Sequence, residues 1–195
     1  MHSHLAFLIS CEALLFVLTM SLAASKRTAL LGEYVGTGFH LLLMPIIAHV
    51  QAPFVAVIAG FLWVACDVIA STGLIWNGHS NSEDSSKTFL PVRMAGHLFA
   101  AIWIVFASYR MGLHIGILGS FLALGFVAYT LAAGRLPEKS LAVPGLLMLV
   151  WLLLLAWKTH QESVRAGDSH SLESAVSFHM RGFQEVGTKR ATVQP

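Results

Sequence analysis

Phe54–Trp76 reads FVAVIAGFLWVACDVIASTGLIW, a run of 23 residues with one formal charge, Asp67. At ~1.5 Å rise per residue such a helix is about 34 Å long, enough to cross a hydrocarbon core of ~30 Å. A carboxylate inside a span costs on the order of 2.5–3.5 kcal/mol on insertion scales, so Asp67 calls for polar partners on neighbouring helices.

The composition agrees with a membrane reading. Of 195 residues, 56% are hydrophobic and 11% charged, where a soluble domain carries roughly 25% charged residues. The net charge of +2 is too small to imply a nucleic-acid partner. Cys11 and Cys66 both lie in apolar runs, and neither a CxxC nor a Cys/His finger spacing occurs. A disulfide framework or a structural zinc is therefore not expected.

Other apolar runs flank Phe54–Trp76 on both sides. His4–Ala24 carries Glu12 and ends at Ser25-Lys26-Arg27. No Lys or Arg precedes it, which a secretion signal would require, so it reads as a retained helix. Residues 25–34 form a short loop holding Lys26, Arg27 and Glu33, and Tyr34–Val50 is a short second run with His40, Pro45 and His49. Pro45 is expected to kink it, since a backbone donor is missing there.

Downstream, Asn77–Lys87 is a polar Ser/Asn-rich loop. Thr88–Tyr109 is the fourth run, with Arg93 near its start and His97 one turn on. Leu113–Ala133 is the fifth. Gly112 and Gly116 form a GxxxG pair at its head, suited to close helix contact and to pairing with another copy or a membrane-protein partner. Leu141–Trp157 is the sixth run, rich in Leu. The expected fold is all-α: a polytopic bundle of about six transmembrane helices, five if Tyr34–Val50 fails to span.

The expected division is a membrane bundle over residues 1–158 and a polar, partly disordered tail over 159–195. Within the tail, Leu172, Val176, Met180, Phe183 and Val186 recur with helical spacing, as an amphipathic helix on a membrane or partner would. With the N-terminus outside, inner loops and helix ends hold Lys26, Arg27, Lys87, Arg93, Arg135 and Lys139, against Arg110, Lys158 and Arg165 outside. Basic residues favour the cytoplasmic side. The location expected is the cell (inner) membrane, multi-pass, with both termini non-cytoplasmic.

That topology sets depths. His40 falls about 8 Å from the inner end of its helix, Asp67 about 13 Å and His97 about 10–14 Å. The three are level, whichever way the bundle is inserted. Helical spacing puts Gly60, Asp67, Ser71 and Leu74 on one stripe, and Arg93, His97, Ala101, Ile104 and Ser108 on another. Gly36, His40 and Met44 share a face, whereas His49 points the opposite way. Glu12 lies nearer the outer half, at a different level. The expected polar cluster is therefore His40, Asp67, Ser71, Arg93 and His97.

Three functions fit such a cluster. Exchangeable protons on an acid and imidazoles suit a proton- or small-solute-handling carrier or channel-like protein. Two level imidazoles, His40 and His97, have the spacing for axial ligation of a haem b in an electron-transfer protein, with Gly36 and Ala101 leaving room for the porphyrin. A motif-poor bundle with a polar tail also fits an accessory or assembly subunit of a membrane complex. No nucleophile elbow and no HExxH motif occurs, so no bond-breaking constellation can be named and an enzyme is not the expected class.

Overall fold

The computed structural model describes residues 2–25, 27–50, 52–79, 85–132 and 143–165. They form α1 (His2–Ala23), α2 (Ala29–His49), α3 (Phe54–His79), α4 (Ser85–Met111) and α5 (Leu113–Leu131), followed by α6 (Val143–Arg165). All six contain a stretch long and apolar enough to cross a membrane. The chain is an all-α, multi-pass membrane bundle.

The helices overrun their apolar runs. Helix α2 starts at Ala29 rather than Tyr34, α3 continues past Trp76 to His79, and α4 begins at Ser85. Helix α6 runs on to Arg165, beyond Trp157. Hydropathy marks where hydrocarbon ends, but backbone hydrogen bonding continues into the polar boundary. Two positions show how. Thr28 accepts the Gly32 amide at 2.9 Å and sends its hydroxyl to the Leu22 carbonyl at 2.6 Å, so α2 starts at the turn itself. Thr159 is buried and bonds the Leu155 carbonyl at 2.8 Å. Helix α2 also continues through Pro45 to His49 and is long enough to span.

Sequence neighbours pack on one another from α1 to α5. Helix α6 completes the bundle: Gly145 faces Met20 and Phe16 of α1, and Pro144 lies against Gly125 of α5. The Trp151 indole of α6 donates to Ser108 Oγ on α4 at 2.6 Å, fully buried. Trp63, Trp103 and Trp151 step across α3, α4 and α6 with ring centroids 5.9 and 5.7 Å apart. Ile9, Leu43, Ile46, Ile47, Ile104 and Leu155 fill the space around them. Outside, Phe7, Leu14, Phe54, Trp76, Phe121 and Leu131 are exposed, the exterior expected of a surface solvated by lipid.

Glycines set two of the approaches. A Cβ at Gly116 would come within 2.6 Å of the Tyr109 ring, and one at Gly119 would collide with Ser108. The small face of α5 is thus taken by α4 of the same chain. Gly112 has φ +123° and open space around it, so it serves the turn between α4 and α5, where the positive φ disfavours any other residue. The tail pattern at 172–186 and the turn at 134–140 lie outside the described residues.

Candidate functional site

Helices α2, α3 and α4 put four ionisable side chains in one connected group. On α2, Glu33, Gly36, Thr37 and His40 fall at helical spacings of three, four and seven, so they share a face. Asp67 and Ser71 sit one turn apart on α3, and Arg93 comes from α4. Gly96 lets α4 approach: a Cβ there would lie 3.1 Å from Cys66 Cβ and 3.4 Å from Asp67 Oδ1.

The inner part of the group is His40 with Asp67. His40 Nε2 lies 3.1 Å from Asp67 Oδ2, with the Asp67 side chain only 3% exposed and that of His40 16%. His40 Nδ1 lies 2.7 Å from the Gly36 carbonyl oxygen. A carbonyl can only accept, so Nδ1 carries a hydrogen and donates it. Nε2 and Oδ2 would then face each other with lone pairs unless one proton sits between them. The pair is therefore a one-proton site, with the proton on Nε2 as an ion pair or on Oδ2 as a neutral pair.

The outer part is a fork. Arg93 donates both terminal nitrogens to Glu33, at 3.2 Å to Oε1 and 2.6 Å to Oε2, the bidentate geometry that favours arginine over lysine. It also donates to Ser71 Oγ at 3.0 Å, and its Nε lies 4.0 Å from Asp67 Oδ1. Arg93 and Glu33 are 29% and 25% exposed, so accessibility falls from the fork inward to Asp67.

The charges close. Arg93 and Glu33 neutralise each other, and the His40–Asp67 pair is neutral while it holds its proton. Losing that proton leaves one net negative charge, which Arg93 Nε is near enough to offset in part.

His40, Asp67, Ser71 and Arg93 are joined in this network. His97 lies within electrostatic reach of Asp67, Arg93 and His40; its ring packs on Phe126 and Tyr129 of α5, with centroids 5.2 and 5.7 Å away, and its buried Nδ1 has no hydrogen-bond partner among the described residues. His49 is exposed and bonds its own helix at the Pro45 carbonyl, 2.7 Å away. Glu33, read from sequence as a loop residue, is part of the site; its seven-residue offset from His40 was the signal available.

Both ring nitrogens of His40 are engaged. An axial bond to haem iron at Nε2 would break the contact with Asp67, and the ring is flanked by Phe39 and Trp63 at centroid distances of 5.0 and 5.9 Å. The arrangement does not fit a haem held between His40 and His97. Among the described residues no group of three or more His, Cys, Asp or Glu side chains could hold a metal ion.

No family model matches the chain, and no curated protein or solved structure is similar to it.

Proposed function

We propose that this membrane bundle handles protons, as a carrier or channel-like protein in which the His40–Asp67 pair binds and releases one proton. Arg93 and Glu33 form the mouth of the site. The observation that carries the reading is the double engagement of His40, with Nδ1 on the Gly36 carbonyl and Nε2 3.1 Å from Asp67. A buried acid, an imidazole and a neighbouring guanidinium in one connected group inside a membrane span are the side chains that proton pathways use, which supports the reading.

The loop charges support a cell-membrane topology with both termini non-cytoplasmic, which sets the Arg93–Glu33 mouth toward the cytoplasm. The test is proton uptake into liposomes holding the full chain, under an imposed potential and read by an internal pH dye. The expected result is uptake above that of protein-free vesicles, scaling with protein per vesicle. Uptake equal to that of empty vesicles at every protein load would contradict the reading.

A further inference from the structure

A buried carboxyl group lies outside the cluster. Glu12 on α1 is fully buried, 0% exposed, and neither carboxyl oxygen has a hydrogen-bond partner among the described residues. A buried ionisable group in a membrane span is expensive, and nothing in the packing explains its presence as an anchor. Its neighbours along α1, Ile9 and Ala13, belong to the apolar core.

Register places it. Thr19 lies against Gly36, and the rings of Phe16 and Phe39 are 5.4 Å apart. Continuing these antiparallel pairings along α1 and α2 brings Glu12 opposite Leu43, one helical turn (~5 Å along the axis) beyond His40. Glu12 is thus within about one helical turn of the level of His40, on the side away from the Arg93–Glu33 mouth. From the mouth inward, side-chain exposure runs from 29% and 25% at Arg93 and Glu33 to 16% at His40 and 3% at Asp67. Glu12, on α1, is wholly enclosed as well.

We propose that Glu12 is a second proton-binding site, used in series after the His40–Asp67 pair. This rests on the proton-handling reading and extends it. In the transfer Glu12, a neutral acid at rest, first gives its proton to the far side as its O–H bond breaks; the N–H bond at His40 Nε2 (or the O–H bond at Asp67 Oδ2) then breaks and a new O–H bond forms on the transient Glu12 carboxylate. Asp67 is left ionised beside neutral His40 and Arg93, and Glu12 becomes a neutral acid. Reprotonation of the His40–Asp67 pair from the mouth completes the passage.

The test treats full-length protein in liposomes with dicyclohexylcarbodiimide, an apolar reagent that modifies protonated carboxyls in apolar surroundings. Adducts are mapped by peptide mass spectrometry, and proton uptake is measured on the same vesicles. The expected result is an adduct on Glu12 and uptake reduced roughly tenfold or more. Glu12→Gln should lose uptake to a similar degree, and Glu12→Asp should retain part of it. An unmodified Glu12 in the wild-type protein overturns the proposal without recourse to any variant. Wild-type uptake in Glu12→Gln overturns it too, and if Asp67→Asn is inactive in the same assay the cluster reading survives that failure. No uptake by wild-type protein would sink both.

Discussion

His40 touches Asp67 through Nε2 at 3.1 Å while its Nδ1 is fixed on the Gly36 carbonyl at 2.7 Å. The helix backbone of α2 thereby chooses the tautomer, and the choice leaves one shared proton in the contact with α3. In nitrogen-15 spectra of histidine-labelled protein in liposomes, the His40 Nδ1 should bear a hydrogen in both wild-type and Asp67→Asn protein. The Nε2 resonance should move only in the variant. A bare Nδ1 in the wild-type protein would remove the basis for a shared proton.

The fork between Arg93 and Glu33 gives a stability expectation. Arg93→Ala leaves Glu33 and Asp67 without their cation, and removing one partner of a buried pair costs about 3–5 kcal/mol. The pair here is partly exposed, so solvent and headgroups reduce this to roughly 1–3 kcal/mol. Replacing both members with apolar residues, as in Glu33→Leu with Arg93→Met, should cost less than the sum of the single changes, with a coupling of ~0.5–3 kcal/mol. Unfolding in mild detergent followed by tryptophan fluorescence checks the cycle.

Helix packing offers a contrast between glycines. A methyl group at Gly119 would run into Ser108, whose Oγ also accepts the Trp151 indole. Gly119→Ala should therefore destabilise by about 1–3 kcal/mol, as overpacking does. Gly38 has nothing within 4 Å of an added Cβ. Gly38→Ala should leave stability unchanged or raise it by up to ~1 kcal/mol through helix propensity. Thermal melts of the two variants side by side decide it.

The engagement of His40 also bears on colour. Its Nε2 faces a carboxylate rather than an open plane, so purified protein is expected to show no Soret band, and His40→Ala or His97→Ala should leave the visible spectrum unchanged. A red preparation bleached by either change would mean that α2 and α4 adopt a different arrangement around a porphyrin.

The membrane class was legible because apolar runs of spanning length are hard to produce otherwise. The partnership of Asp67 and His40 was legible from depth, since level polar groups on adjacent helices tend to meet. Depth does not set rotation. His97 shares that level and is within electrostatic reach of Asp67, while its ring stacks on Phe126 and Tyr129 of α5 rather than bonding the acid. Glu33 escaped because its charge marks a hydropathy boundary that reads as loop, although α2 begins at Ala29 and carries it inward. Ser71 proved a partner of Arg93, a pairing that needs the α3–α4 crossing and no spacing rule supplies. The contact of α6 with α1, where Gly145 meets Met20 and Phe16, joins the two ends of the bundle, and no local spacing rule supplies it.

The most direct measurement is proton uptake by Asp67→Asn protein in liposomes, compared with wild type at equal folded protein per vesicle. An amide keeps the shape and can still bond His40, but it cannot exchange a proton. The expected result is uptake lowered roughly a hundredfold, in the range attributed to a positioned proton-transfer group, with an unchanged elution profile in detergent. Uptake by Asp67→Asn equal to wild type would contradict the assignment of the His40–Asp67 pair as the proton site.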